Sequence, residues 1–374
     1  MKFQTKAIHS TPRGDPTTKG VTPAIHMSTT FEREADGSYP AGYIYSRFEN
    51  PNRKMLETSL AELEGGNAAR AFSSGSAATF TLLHTLKPGD HVIAPIDVYH
   101  GTATIFKEIM APWGLLCSFV DMTDIGEVEK AIRPNTKLFW TESPSNPLLK
   151  ITDIRQVSEL AHSKNALCVS DNTWMTPALQ QPFSLGADVI IHSTTKYLSG
   201  HSDILGGAII TKEQNTLLEQ IRTLQASVGS VPSPFDCWLV LRGLQTLSIR
   251  MQTHTANAEK IATYLSVHPK IEAVHYPGLE THDGHQVATK QMNSFGGMLS
   301  VQIRGGKTLA MSVAAKTTLF TAATSFGGTS SYIEHRASIE GPDTDTPDNL
   351  LRLSIGLEHP DDLIEDLSQA LDQI

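Results

Sequence analysis

Short apolar segments alternate with helix-like segments through the middle of this chain, and this alternation constrains the fold more than any other feature. The apolar segments predict strands at 91–94, 115–120, 137–141, 166–170, 188–192 and 207–210. Helical patterns lie between most of them, as at 153–164, and another helix is expected at 52–64. Strands and helices that alternate at this spacing predict an α/β fold with a mostly parallel sheet covered by helices on both faces.

The N-terminal segment has a different character. Residues 1–50 are rich in Thr, Pro, Gly and Ser and show no long helical or strand period. The segment nevertheless carries Phe31, Tyr39, Tyr43, Tyr45 and Phe48, whereas disordered segments are poor in aromatic residues. We therefore expect residues 1–50 to form an arm that lies on another protein surface.

The C-terminal part mixes helices and strands without the regular alternation. Helices are expected at 214–227, 309–315 and 361–374, and a long one at 237–265 with a break near Gly243. Strands are expected at 271–276 and 298–303. The predicted organisation is an arm (1–50), a large α/β domain (51–235) and a smaller α+β domain (236–374).

Composition excludes several classes of function. The chain has 374 residues and a formal net charge of −9, which argues against nucleic acid or an anionic membrane surface as a partner. No apolar run approaches the roughly 18 residues of a membrane span, no signal peptide is evident, and the three cysteines lack C-x-x-C spacing. His282 and His285 lack a third ligand at a recognisable spacing, so no metal site is expected. These features predict a cytoplasmic protein.

Two neighbouring apolar segments end in residues that suit one cofactor. Asp171 follows the segment at 166–170, and Lys196 follows the segment at 188–192. In an open α/β sheet, ligands bind at the carboxyl ends of the strands, so both side chains should face one crevice. Pyridoxal phosphate (PLP) needs a lysine for its Schiff base and an acid beside its pyridine nitrogen. The alternative for Lys196 is a solvated strand end.

Other residues fit the remaining parts of such a site. Ser74, Gly75 and Ser76 open a helix whose free N–H groups can bind a phosphate; taken alone, this motif more often is a simple helix cap. Ser193 and Thr195 flank Lys196 and can add hydroxyl groups. Further candidates are Tyr99, which can stack on the cofactor ring or be a half-buried core residue, and Arg352, which can bind a substrate carboxylate or point to solvent from its strand.

The chain resembles the cystathionine γ-synthase/lyase (Cys/Met metabolism) family of fold-type I PLP enzymes over nearly its whole length. The resemblance rests on motifs at 45–47 with 50–51, 74–78, 97–102, 142–147, 171–173, 192–200, 325–328 and 352–358. It implies a fold-type I architecture, PLP as cofactor, and a homo-oligomer whose active dimer lies within a tetramer. Small amino acids would be the substrates.

The resemblance also implies roles for single residues. Catalytic residues would be Lys196, Tyr99 and Tyr45, and Tyr45 would act with Arg47 at the phosphate of the neighbouring subunit's cofactor. The other cofactor-binding residues would be Asp171, Thr173, Gly75, Ser76, Ser193 and Thr195, and the substrate-binding residues would be Arg352, Ser325, Asn146 and Thr324.

Several positions depart from the family's usual residues. Thr104 stands where synthases commonly carry an Arg, and Thr324 and Ser330 each stand where Glu is common. His100 replaces a usual Gly. Arg336 replaces a usual Pro, and is either a cationic contact for a distal substrate charge or a surface residue.

These departures favour one reaction of the family over the others. β-Elimination needs one α-proton abstraction and γ chemistry a further proton transfer at the β-carbon, and Lys196 could serve as the base in each. The missing Arg and Glu argue against the commonest γ-synthase pocket. We therefore expect a cystathionine β-lyase, which forms homocysteine, pyruvate and ammonia. The alternatives are, in order, a cystathionine γ-lyase, a cystathionine γ-synthase and a methionine γ-lyase. A PLP-binding regulatory protein is the non-enzymatic alternative.

Overall fold

A seven-stranded sheet forms the centre of the larger part of the molecule. The computed structural model describes residues 1–11, 14–15, 17–341 and 345–374. In these ranges the sheet contains β1 (Ala68–Phe72), β2 (His91–Pro95), β3 (Leu116–Val120), β4 (Thr136–Glu142), β5 (Leu167–Asp171), β6 (Val189–His192) and β7 (Gly207–Thr211). The strand order is β1-β7-β6-β5-β4-β2-β3, and only β7 runs antiparallel to its neighbours. The mostly parallel α/β sheet predicted from the sequence is confirmed.

The central strands are apolar because both faces of the sheet are covered. All residues of β2, β6 and β7 are buried. Alternate side chains enter different cores: Val189 and Ile191 contribute to one, and Ile190 contributes to the other. Polar residues at the ends of β4, β5 and β6 therefore lie at one edge of a rigid, fully packed sheet.

A five-stranded sheet forms the smaller part. Its strands are β8 (Ile271–His275), β9 (Met298–Ile303), β10 (Thr321–Ala322), β11 (Tyr332–His335) and β12 (Leu350–Ser354), in the order β10-β11-β12-β9-β8. Strand β12 is buried throughout, and in its pairing with β11 Arg352 stands opposite Glu334. This confirms the α+β character of the C-terminal part.

Helices cover both sheets. They are α1 (Phe3–His9), α2 (Pro51–Glu64), α3 (Gly75–Leu83), α4 (His100–Thr104), α5 (Ala111–Trp113), α6 (Ile125–Lys130), α7 (Ile154–Ser163), α8 (Thr176–Leu179), α9 (Thr216–Val228), α10 (Pro234–Gln245), α11 (Leu247–Ser266), α12 (His285–Gln291), α13 (Lys307–Lys316), α14 (Arg336–Glu340) and α15 (Pro360–Asp372). A π-helical turn (Ile105–Met110) and a 3₁₀ turn (Pro182–Leu185) complete them. No helix in the described ranges is both long and apolar enough to span a membrane.

The expected break in the long helix is confirmed, and it lies at Thr246, three residues after Gly243. Helix α10 continues through Gly243 and ends at Gln245, and α11 begins at Leu247. A Cβ at Gly243 would lie 2.7 Å from the carbonyl oxygen of Leu198 and closer still to that of Ser199. This glycine therefore permits close packing of α10 on the segment that follows Lys196, and does not interrupt a helix.

Helix α1 and strand β1 are among the elements that the sequence analysis did not predict. Helix α1 forms within the arm and buries Ala7. Strand β1 adds an edge to the large sheet by pairing with β7. The domain boundaries at 50 and 235 stay predictions; Val240 and Leu244 of α10 share a core cluster with Leu56 and Leu60 of α2.

Candidate active site

The carboxyl ends of β5 and β6 bring Asp171 and Lys196 to the same cavity, which has a volume of about 240 Å³. Asp171 is the last residue of β5, and Lys196 follows four residues after the end of β6. Most of the residues that the sequence singled out line this cavity: Lys196, Asp171, Tyr99, Gly75, Ser76, Thr173, Ser193, Thr195, Asn146, Thr324, Ser325 and Arg352. Tyr45 and Arg47 are the two that do not line it.

Lys196 is held in a partly buried position that increases the fraction of its neutral amine. Its Nζ donates a hydrogen bond of 2.7 Å to Ser325 Oγ and lies 4.9 Å from the centre of the Phe326 ring. Burial and the nearby charge of Arg352 lower the pKa of Lys196 to about 8. A lysine in this state can act as a nucleophile and as a base near neutral pH.

The loop that holds Ser325 has an unusual backbone. Ser325 has φ of 92°, in the left-handed region that non-glycine residues rarely adopt, and Gly327 has φ of 79°. A Cβ at Gly327 would lie 2.7 Å from the backbone nitrogen of Tyr197. The glycine thus lets the loop press against the chain beside Lys196, and this packing holds the Ser325 hydroxyl toward the amine.

A short hydrogen-bond chain fixes Asp171 relative to the lysine segment. Asp171 Oδ1 accepts from the Thr173 N–H at 3.0 Å, and Thr173 Oγ1 accepts from the Ser193 N–H at 2.9 Å. Burial raises the pKa of Asp171. A positively charged partner in the cavity would reverse this shift, because an opposite charge favours the carboxylate.

Glu142 is a cavity residue to which sequence reasoning gave no role. It ends β4 and stands opposite Asp171 in the strand register. Its Oε2 accepts from the Tyr99 N–H at 3.0 Å, so it anchors the backbone at the start of α4. Burial and the neighbouring Asp171 raise the pKa of Glu142 well above its usual range, which favours the neutral acid.

The start of α3 provides an anion-binding end of the cavity. Ser74 caps the helix by accepting from the Ala77 N–H at 3.0 Å, and the free N–H groups of the first turn lie beside Ser76 and Ser193. A Cβ at Gly75 would lie 3.0 Å from Ser193 Cβ, so a larger residue would crowd this end. Backbone N–H groups and hydroxyls at a helix N-terminus are suited to a phosphate.

Arg352 points into the molecule and not to solvent. Its side chain is only 3% exposed and donates to Asn146 Oδ1 at 3.0 Å, to the Ser325 carbonyl at 3.2 Å and to Glu334 Oε2 at 2.5 Å. Burial lowers the pKa of Arg352 to about 10, so the guanidinium keeps its charge at neutral pH. Glu334 is a second residue that the sequence analysis missed.

The remaining predicted residues lie at the mouth of the cavity or outside it. Tyr99 is 44% exposed and lines the mouth, which excludes the core alternative. Tyr45 is 41% exposed, and Arg47 places its guanidinium 4.8 Å from the Phe48 ring and donates to the Ala226 carbonyl. Neither side chain lines the cavity of its own chain.

The departures from the resembled family divide into two groups. His100, Thr324 and Arg336 line the cavity, whereas Thr104 is exposed outside it and donates to the His100 carbonyl at 3.0 Å. Arg336 is 3% exposed, which excludes the surface alternative. The cavity wall is therefore uncharged at position 324, and the side chain at position 104 does not line it.

Comparison with known proteins gives the family. The sequence profile of one family, described as Cys/Met metabolism PLP-dependent enzyme, matches residues 4–372. The chain belongs to this family. Enzymes of this family use pyridoxal 5'-phosphate, and this chain is therefore a PLP-dependent enzyme of Cys/Met metabolism.

Relatives within the family carry several different activities in their names. A cystathionine γ-synthase of Mycobacterium tuberculosis is 47% identical over 98% of this chain and 96% of its own length. A cystathionine β-lyase of Coxiella burnetii is 44% identical over 99% of this chain and 97% of its own length. A cystathionine γ-lyase of Bacillus subtilis is 42% identical over the full length of both chains.

Solved structures agree with this assignment. The metB structure from Corynebacterium glutamicum superposes with a TM-score of 0.97 and 44% identity, covering 100% of this chain and 98% of that one. The structure of a cystathionine γ-lyase from Lactobacillus plantarum complexed with L-serine superposes with a TM-score of 0.96 and is 39% identical. The match covers 100% of this chain and 99% of that one. The fold-type I assignment is therefore confirmed.

The family's cofactor fits the residues in the cavity. An anion-binding helix start, a buried carboxyl and an amine of lowered pKa line the same cavity, which are the groups that PLP requires for its phosphate, ring nitrogen and aldehyde. Among the described residues, no group of three or more His, Cys, Asp or Glu side chains is placed to bind a metal ion. His285 instead has its Nδ1 2.8 Å from the Pro277 carbonyl.

Proposed function

We propose that this enzyme is a carbon–sulfur lyase that cleaves L-cystathionine by β-elimination to homocysteine, pyruvate and ammonia. The observation that carries the proposal is the charge distribution in the cavity. Lys196, of pKa about 8, is a base beside the carboxylate-binding Arg352, and Thr324 is uncharged at the position where γ-specific relatives commonly have Glu. This set suffices for one proton abstraction at the α-carbon.

Arg352 and Lys196 divide the work of binding and proton transfer. Arg352 binds the α-carboxylate of the substrate, and Asn146 and Ser325 hold its guanidinium in place. The fixed carboxylate orients the α-carbon hydrogen toward Lys196 Nζ, which removes the proton. When bound, PLP supplies the aldehyde that links to the amine and the ring that takes up the electrons released at the α-carbon.

Asp171 and the start of α3 hold the cofactor in the orientation that this proton transfer needs. The carboxylate of Asp171 binds the ring nitrogen and keeps its proton in place. Gly75, Ser76, Ser193 and Thr195 bind the phosphate through N–H groups and hydroxyls. Thr173 joins these two regions through its hydrogen bonds to Asp171 and Ser193. Tyr99 covers the ring from the mouth of the cavity.

A cystathionine γ-synthase is the second candidate, because relatives of that name are 47% identical to this chain. A γ reaction needs a further proton transfer at the β-carbon before the γ-substituent leaves. Lys196 can serve as the base for that step as well, so the distinction rests on the distal part of the substrate. Thr104 and Thr324 carry no charge where the resembled γ-synthases commonly have Arg and Glu.

Product analysis tests the proposal. The PLP-loaded enzyme is incubated with L-cystathionine, and pyruvate, homocysteine, oxobutyrate and cysteine are quantified. Pyruvate with homocysteine supports the β-lyase. Oxobutyrate with cysteine indicates the γ-lyase. Formation of cystathionine from an acylated homoserine and cysteine, without cleavage, indicates the synthase.

We further propose that Tyr45 and Arg47 complete the phosphate site of a neighbouring subunit, so that the active unit is a dimer within a tetramer. The arm exposes Val21, Met27 and Phe48 at 88%, 62% and 47% of their surface. Apolar exposure of this extent on one segment favours burial against a second copy. The cytoplasmic location stays a prediction.

A further inference from the structure

Arg336, at the start of α14, lies in the wall of the cavity but directs its hydrogen bonds away from it. Its Nε and Nη2 donate to Glu340 Oε1 at 3.1 and 2.7 Å, and its Nη1 donates to Glu334 Oε2 at 3.3 Å. All three nitrogens are thus engaged with carboxylates of the protein. A substrate carboxylate would have to compete with both glutamates for this guanidinium.

Glu334 connects Arg336 to Arg352. Strands β11 and β12 place Glu334 directly opposite Arg352, and one oxygen, Oε2, accepts from both guanidiniums. The other oxygen, Oε1, is buried and accepts no hydrogen bond within the described part of the chain. The orientation of this carboxylate is therefore set by two cations that share a single oxygen.

We propose that Arg336 is a positioning residue that keeps Arg352 available to the α-carboxylate of the substrate by sharing Glu334 with it. Without Arg336, Glu334 is free to turn and present both oxygens to Arg352. A bidentate pair of that kind occupies the N–H groups that the substrate needs and neutralises their charge. The inference rests on the proposed role of Arg352 in carboxylate binding.

Arg336 should also affect the pKa of Lys196. The positive charges of Arg352 and Arg336 both lower the pKa of Lys196, whereas Glu334 raises it. Loss of Arg336 should therefore raise the pKa of Lys196 as well as weaken carboxylate binding. This second effect gives a readout that does not depend on turnover.

The test compares three amino compounds with the PLP-loaded enzyme, and follows their binding by the change in cofactor absorbance. L-Alanine has an α-carboxylate and no distal charge, L-cystathionine has both, and n-propylamine has neither. For Arg336→Met we expect the affinity for L-alanine and for L-cystathionine to fall about tenfold or more, since their α-carboxylate loses charge-assisted hydrogen bonds. The affinity for n-propylamine should stay within about twofold.

A double substitution isolates the role of Glu334. If Arg336 acts only by sharing Glu334, then Glu334→Gln in the Arg336→Met background should restore most of the affinity for L-alanine, because the competing carboxylate is gone. This double variant also removes the negative charge of Glu334, one of the two carboxylates that lose the Arg336 guanidinium as a partner. It therefore remains informative if the single variant folds poorly.

Lys270→Met is the matched control. Lys270 is a cation of the same small domain that donates to the Leu371 and Ile374 carbonyls, and it does not line the cavity. It should change stability without changing the affinity for any of the three compounds.

Three results would overturn the proposal. Unchanged L-alanine affinity in Arg336→Met, or equal weakening of L-alanine and n-propylamine, would exclude a role through Arg352. Weakening of L-cystathionine alone would mean that Arg336 binds the distal end of the substrate directly. If the wild-type enzyme shows no spectral response to any amino acid, the proposed function itself has failed.

Discussion

Replacement of Ser325 by alanine should lower the pKa of Lys196 by an amount that the structure allows us to work out. The Ser325 hydroxyl accepts a hydrogen bond of 2.7 Å from Lys196 Nζ. A hydrogen bond from a charged donor contributes about 1 kcal/mol more than one from a neutral donor, so the hydroxyl stabilises the ammonium form. Because 1.36 kcal/mol corresponds to one pKa unit, the pKa should fall by about 0.7 unit from its value of about 8.

The assay measures how fast Lys196 is acetylated by limiting acetic anhydride in the cofactor-free protein, as a function of pH. Acetylation is quantified by mass spectrometry of the peptide that contains Lys196. Only the neutral amine reacts, so the midpoint of the rate profile reports the pKa. Exposed Lys130 provides an internal reference on the same molecules. Thr324→Ala, which alters a neighbouring cavity residue with no hydrogen bond to Lys196 among the described contacts, is the control and should leave the midpoint unchanged.

Ser325→Gly separates the hydroxyl from the backbone. Glycine also removes the hydroxyl, so it should give the same shift in the midpoint as alanine. It tolerates the φ of 92° at this position better than alanine does, so it should be more stable than Ser325→Ala by about 1 kcal/mol. A wild-type midpoint near 10.5, or the same midpoint in wild type and both variants, would refute the reasoning.

Three further predictions follow from the same contacts. Asp171→Asn should weaken PLP binding about tenfold or more in equilibrium dialysis, because a charge-assisted contact is lost. Glu142→Gln should leave PLP affinity within about threefold of wild type, because burial already favours the neutral acid of Glu142. Equal losses of affinity in the two variants would contradict this. Arg47→Ala and Lys196→Ala subunits, each inactive alone, should regain activity when mixed, since a hybrid dimer has one complete site; no recovery in verified hybrids would refute the shared site. Burial lowers the pKa of His254 to about 4, so the unfolded chain binds more protons than the folded one between about pH 4 and 6.5. The free energy of unfolding should therefore fall as the pH falls through this window. In denaturant titrations, His254→Asn should reduce the slope of unfolding free energy against pH by about 1.4 kcal/mol per pH unit, and an unchanged slope would contradict this.

The sequence allowed the large sheet and the core of the site to be predicted because their signals are local. Apolar segments that end at Asp171 and before Lys196 indicate buried parallel strands, and the carboxyl ends of such strands meet at one edge. Strand β1 was missed because its sequence, Ala-Ala-Arg-Ala-Phe, has a weak strand pattern. It forms by pairing with β7, about 140 residues away along the chain.

The contacts around Arg352 could not be predicted, because they depend on the register between two strands. An arginine in an apolar strand can face solvent or the core, and the sequence does not distinguish the two. Only the pairing of β11 with β12 places Glu334 opposite Arg352, and only the turn into α14 brings Arg336 to the same oxygen. Glu142 was missed for a similar reason, since its neighbour Asp171 lies on another strand.

The central claim is that Lys196 holds the cofactor at the junction of the Asp171 and Arg352 sides of the cavity. Borohydride reduction of the PLP-loaded enzyme, followed by digestion and mass spectrometry, tests it most directly. We expect a single phosphopyridoxyl group on the peptide that contains Lys196, and none in Lys196→Ala. A modification on another lysine, or an unchanged reducible chromophore in Lys196→Ala, would contradict it.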